Sequence, residues 1–127
     1  MVITITAPAG GNKTKTALEM AATMGLRNQQ KVVYLTKDMD YGGWVAYVEG
    51  FCGRENLNHF RPVYCTDLEG ALHILPYVDR MPYDYIILDG FEDEISALGN
   101  TEYAEMITKM AECTTDKNGK IILITKK

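Results

Sequence analysis

The chain has 127 residues, 46% of them hydrophobic, which suits one domain with one ordinary core. Thirteen basic against seventeen acidic residues give a formal charge of −4, the wrong sign for a surface that grips a polyanion broadly, so any contact with nucleic acid is expected to be weak or indirect. Three cysteines, Cys52, Cys65 and Cys113, lie at irregular spacing with no companion to complete a zinc motif, and read as reduced, buried thiols.

Met1–Thr6 starts at once with a strand-like pattern rather than a basic leader, and no apolar run approaches the ~18 residues of a membrane span. The expectation is a cytoplasmic protein with no membrane partner. Val2 to Thr6 is β-branched throughout and closes on a Pro/Gly cluster, the pattern of a buried strand running into a loop. From Thr14 to about Arg27 the apolar residues Ala17, Leu18, Ala21, Ala22 and Met24 recur at helical spacing, with Gly25 and Asn28 at the stop. Lys31–Thr36 reads as a second strand, Asp38–Gly43 as a polar loop, and Trp44–Phe51 as another helix.

Phe60–Cys65 reads as a third strand broken by Pro62, and Asp67 as the cap of a helix over residues 68–75. Tyr83–Gly90 is a continuous apolar strand with an acid, Asp89, near its end; Glu92–Glu94 after it reads as a solvated loop. Thr101–Cys113 is an amphipathic helix exposing Glu102, Glu105 and Lys109, and Lys120–Thr125 is the last strand, leaving Lys126 and Lys127 as a frayed tail. Strands that alternate with helices and are apolar on both faces predict a three-layer α/β/α domain, residues 1–127, around a mainly parallel five-stranded sheet.

The loop after the first strand carries the chemistry, because ligands of open parallel sheets bind beyond the carboxyl ends of the strands. Its residues are Pro8, Ala9, Gly10, Gly11, Asn12, Lys13, Thr14 and Lys15. The phosphate-loop pattern G-x-x-x-x-G-K-[ST] works through backbone N–H groups that curl around phosphates, a lysine on the β/γ oxygens and a hydroxyl on Mg²⁺. Lys13 and Thr14 match it, whereas Ala7 and Asn12 stand at the two glycine positions. Asn is the residue that best replaces glycine at positive φ, and a helix N-terminus adds a favourable dipole for an anion. Such a loop works with an acid at the tip of a buried strand, and Asp89 fits, making Thr14 and Asp89 the candidate metal pair.

On these residues the chain resembles P-loop NTPases over nearly its whole length. The segment Val32–Met39, with Asp38 before Met39, resembles the RecA/DnaB-type strand that ends in a catalytic glutamate, here one methylene shorter. The resemblance implies ATP and Mg²⁺ as cofactors, Lys13, Asp38 and Asp89 as catalytic residues, and Thr125 as a polar sensor. It further implies an ATPase of DNA replication or recombination, of the kind viruses and mobile elements carry, partnered by its own copies or by a larger ATPase. Two alternatives remain: a degenerate, non-hydrolysing scaffold that docks onto a larger ATPase or helicase, and a ParA/MinD-like partitioning ATPase, whose motifs Gly10-Gly11, Asp38-Met39-Asp40 with Gly42-Gly43, and Tyr83–Asp89 resemble. Strand order separates the branches. A fifth strand between the Lys13 and Asp89 strands marks the RecA type, and direct contact of those two marks the ParA type.

Other residues read as structural. Trp44, Tyr41 and Tyr47 form a core or lid cluster, His59 and His73 lack metal-ligand companions, and Met20, Met24, Met106 and Met110 are packing residues.

Overall fold

The computed structural model describes residues 2–7, 13–78, 81–117 and 119–126. Its strands are β1 (Val2–Ala7), β2 (Val32–Thr36), β3 (Phe60–Tyr64), β4 (Tyr85–Asp89) and β5 (Lys120–Lys126). They form one sheet in the order β1-β5-β4-β2-β3, parallel at every pairing. The helices are α1 (Lys13–Met20), α2 (Tyr41–Cys52), α3 (Leu68–Ile74), α4 (Glu92–Ser96) and α5 (Asn100–Glu112).

The apolar runs of β2 and β4 are buried along their whole length, as strands covered on both faces must be. Period-two alternation then splits their side chains between two cores. On one face Val32, Tyr34, Tyr85, Ile87, Ile122 and Ile124 pack against α1 and α2 through Leu18, Trp44 and Val48. On the other, Val33, Leu35, Ile86, Leu88, Ile121 and Leu123 pack against Leu68 of α3, Ile95 of α4 and Met106 and Met110 of α5. Each fully buried Leu or Ile contributes roughly 1.5–3 kcal/mol relative to exposure, so the centre of the sheet is the most strongly held part of the molecule. The α/β/α layering and the parallel sheet agree with the sequence. β5 lies between β1 and β4, the order set above for the RecA type, and β1 and β4 are not neighbours as the ParA type requires.

Local differences have identifiable causes. The first helix keeps α form only to Met20 and continues as a π turn, Ala21–Gly25, and a 3₁₀ turn, Leu26–Asn28. The backbone at Gly25 comes so close to the sheet that a Cβ there would stand 3.0 Å from Val32 and 3.1 Å from Tyr85, and the Tyr85 hydroxyl donates to the Met24 carbonyl at 3.2 Å. An outside donor at this turn supports its widened geometry. Met24 is accordingly exposed rather than packed, while Met106 and Met110 are buried.

Glu92–Glu94 is the first turn of α4 rather than a loop, since three acids favour the positive end of a helix. β1 is an edge strand with Val2, Thr4 and Thr6 exposed, because α1 covers only its Ile3 and Ile5 face. Lys126 is not frayed: its backbone continues β5 in register with Ala7. Asp67 caps α3 as expected, accepting from the Gly70 N–H at 2.6 Å. All three cysteines are buried free thiols. No described helix is long and apolar enough to cross a membrane.

Candidate functional site

The carboxyl ends of β2 and β4 and the N-terminal turn of α1 meet around a cavity of about 820 Å³. Lys13, Thr14, Lys15, Asp38 and Asp89 all line it, although they are spread from one end of the sequence to beyond its middle. The parallel register sets Thr36 of β2 opposite Asp89 of β4. Pro8, Ala9, Gly10, Gly11 and Asn12 lie outside the described residues.

Asp89 is buried, 6% exposed, and its carboxylate is anchored on one oxygen. Thr14 Oγ1 donates to Oδ2 at 2.8 Å, and the Tyr34 hydroxyl donates to the same Oδ2. A carboxylate taken out of water needs such charge-assisted donors. Tyr34 itself is fully buried, with its phenol pushed well above the usual tyrosine range, first by burial and then by the charge of Asp89, so it stays a neutral donor. Its ring packs against Trp44 and Phe60, with centroids 5.5 and 6.1 Å away.

Asp38 sits differently. It is exposed, its N–H donates to Thr36 Oγ1 at 3.1 Å, and its Oδ1 accepts from the Asp40 N–H at 3.1 Å in a local turn. Asp40 then caps α2 through the Gly43 N–H at 3.3 Å. At the rim, the Lys37 ammonium is paired with Glu94 and lies 5.4 Å from the centre of the Phe91 ring. Glu94 also accepts from the Leu68 N–H at 2.6 Å, which ties the rim to α3. Gly90 follows Asp89 at φ +96, a conformation that favours glycine, and its N–H donates to Glu92 at 2.9 Å.

Oxygen donors dominate the acidic side of the cavity, and Thr14, by donating its proton to Asp89, keeps its lone pairs for a cation. No group of three His, Cys, Asp or Glu side chains able to cage a metal occurs among the described residues. The two oxygen donors Thr14 and Asp89 suit a hard cation such as Mg²⁺, which takes few protein ligands and completes its shell with water and phosphate oxygens.

Trp44 and Tyr47 of the expected aromatic cluster line the cavity, and Trp44, 7% exposed, is also core; Tyr41 touches the Trp44 ring instead. Thr125 is not among the lining residues and pairs with Thr6 of β1. Sequence reasoning passed over Tyr34, Thr36, Lys37 and Glu92. Tyr34 and Thr36 carried a signal: both lie on the Asp89 side of an otherwise aliphatic strand, two residues apart. Lys37 and Glu92 carried none beyond their closeness to strand ends.

No family model matches the chain, and no curated protein matches it. Among solved structures, the chain is similar to a KaiC-like protein of the hyperthermophilic archaeon Pyrococcus horikoshii, with a TM-score of 0.61 at 14% sequence identity. The match covers 99% of this chain and 62% of that one, so the present chain spans less than two thirds of its neighbour's length. At that identity the likeness is one of fold: the five-stranded parallel α/β architecture described here is similar to the fold of that KaiC-like protein.

Proposed function

We propose that the chain is a nucleotide-binding P-loop domain of the RecA/DnaB kind that takes ATP with Mg²⁺ at the β2/β4/α1 cavity. The observation that carries this reading is the 2.8 Å hydrogen bond from Thr14, next to Lys13 at the start of α1, to Asp89 at the tip of β4. Two motifs 75 residues apart are thus brought together, which supports their serving one nucleotide-bound cation. Lys13 and Lys15 supply positive charge for phosphate oxygens, and the first turn of α1 adds its backbone N–H groups. Thr14 and Asp89 are the residues that would hold the cation, the first through its hydroxyl oxygen and the second through its carboxylate. When bound, Mg²⁺ would neutralise charge on the β and γ phosphates. Asp38, across the cavity, is the candidate to orient the attacking water.

The strand order and the KaiC-like fold support the RecA branch over the ParA branch. A role in DNA replication or recombination, in a ring of like subunits or on a larger ATPase, extends the same reading. A second reading, nucleotide binding without appreciable hydrolysis, is favoured by Asp38: one of its oxygens is engaged by the Asp40 N–H, and its side chain is one methylene shorter than a glutamate.

Calorimetric titration of Mg-ATP into the wild-type chain and into Lys13→Ala tests the proposal. Binding to wild type that is lost in the variant is the expected result; absence of binding to wild type overturns it. Phosphate release by the wild type then separates hydrolysis from binding alone.

A further inference from the structure

Tyr34 is required neither by the phosphate-loop motif nor by the packing of β2. A phenylalanine would fill the same volume between Trp44 and Phe60. What the hydroxyl adds is a hydrogen bond donated to Asp89 Oδ2 from a fully buried position, with the Thr14 hydroxyl as a second polar neighbour. That oxygen already accepts from Thr14 at 2.8 Å, and among the described residues Oδ1 accepts from no side chain or backbone group. Both protein donors therefore sit on the same side of the carboxylate, which fixes its rotation about χ2, a torsion that is otherwise broad and two-fold.

We propose that Tyr34 is a positioning residue for the cation of the nucleotide complex, its hydroxyl holding Asp89 so that Oδ2 faces Thr14 and Oδ1 is offered to the hydrated metal. The inference rests on the nucleotide reading given above. Tyr34 touches neither nucleotide nor metal and acts through Asp89, as outer-shell partners of metal-site carboxylates do. Its rigidity comes from the two aromatic neighbours and from its place in the middle of a buried strand. The hydrogen bond crosses from β2 to β4, so the two strands whose tips frame the cavity are joined beneath it by a contact in addition to their backbone ladder.

The test compares the full chain with Tyr34→Phe, which keeps the ring and removes the donor. ATP binding is measured by calorimetry in excess chelator, and Mn²⁺ is then titrated into the ATP complex and followed by electron paramagnetic resonance. The expected result is unchanged ATP affinity without metal and a half-saturating Mn²⁺ concentration raised about tenfold, the low end for loss of an outer-shell partner. A folded variant whose Mn²⁺ half-saturation equals that of wild type overturns the role of Tyr34 while leaving the nucleotide reading intact. A wild type that binds no ATP with or without metal overturns the nucleotide reading and this role with it. Should the variant fail to fold, the wild type still decides: the Tyr34 hydroxyl proton, held by Asp89, should remain a slowly exchanging downfield resonance when Mg-ATP is added. Its loss on loading would overturn the proposal.

Discussion

The two acids at the tips of neighbouring strands differ in everything but their charge. Asp89 ends β4, is buried, and receives hydroxyl hydrogen bonds from two other elements of the fold; Asp38 lies just past β2, is exposed, and among the described residues is engaged by its own local turn and by Thr36. The first is part of the tertiary structure, and moving it means moving β2 or α1. The second can swing without disturbing the core. Under the nucleotide reading proposed above, the first acid suits holding a cation in place and the second suits orienting a water.

Breaking the comparison at its rigid end should have the largest effect. Asp89→Ala leaves the hydroxyls of Tyr34 and Thr14 without their acceptor, and is expected to lower stability by about 2–4 kcal/mol in denaturant titration. Gly90→Ala forces a side chain onto a backbone at φ +96, and should cost about 1–3 kcal/mol in the same measurement. Thr36 stands between the two acids, opposite Asp89 and bonded to the N–H of Asp38. Thr36→Val should therefore cost about 0.5–1.5 kcal/mol and loosen Asp38 alone, visible as faster amide exchange at Asp38. At the mobile end, Asp38→Ala should change stability by less than about 0.5 kcal/mol. Asp38→Glu, which restores the missing methylene, is expected to raise phosphate release at unchanged ATP affinity; unchanged release would support binding without hydrolysis.

The core around these acids makes a pH prediction of its own. Burial raises the thiols of Cys52, Cys65 and Cys113 above their ordinary value of 9.0. Below that value the thiols are protonated both folded and unfolded, so they add no pH dependence. As pH rises past it the unfolded chain loses thiol protons first, and stability falls. Urea midpoints should thus hold level toward pH 8 and decline above about pH 9, the decline shrinking in a variant with these cysteines replaced by alanine.

Lys13, Thr14 and Lys15 at the start of α1, Asp89 at the end of β4 and Asp38 just past β2 were legible in the sequence, because strand-ending acids and a strand–loop–helix unit are local patterns. Tyr34 was passed over for a different reason. Its polar tip in an otherwise aliphatic strand is a faint signal in the sequence, and its contact with Asp89 depends on a register, Thr36 against Asp89, that only tertiary pairing supplies. The same limit hid the exposure of β1: a β-branched strand reads as buried whether it lies at the centre or at the edge, and the order β1-β5-β4-β2-β3 puts it at the edge. Glu92–Glu94 misled through composition alone, since three acids suit a solvated loop and a helix N-terminus equally well.

Trp44 is the only tryptophan of the chain. It faces the cavity while its ring is 5.5 Å from that of Tyr34, the side chain bonded to Asp89. Excited at its red edge, the protein therefore has a single indole emitter, native and unlabelled, set at the wall where a ligand would arrive. Its emission wavelength and its quenching by iodide should follow occupancy of the cavity in real time, with the free chain as its own baseline.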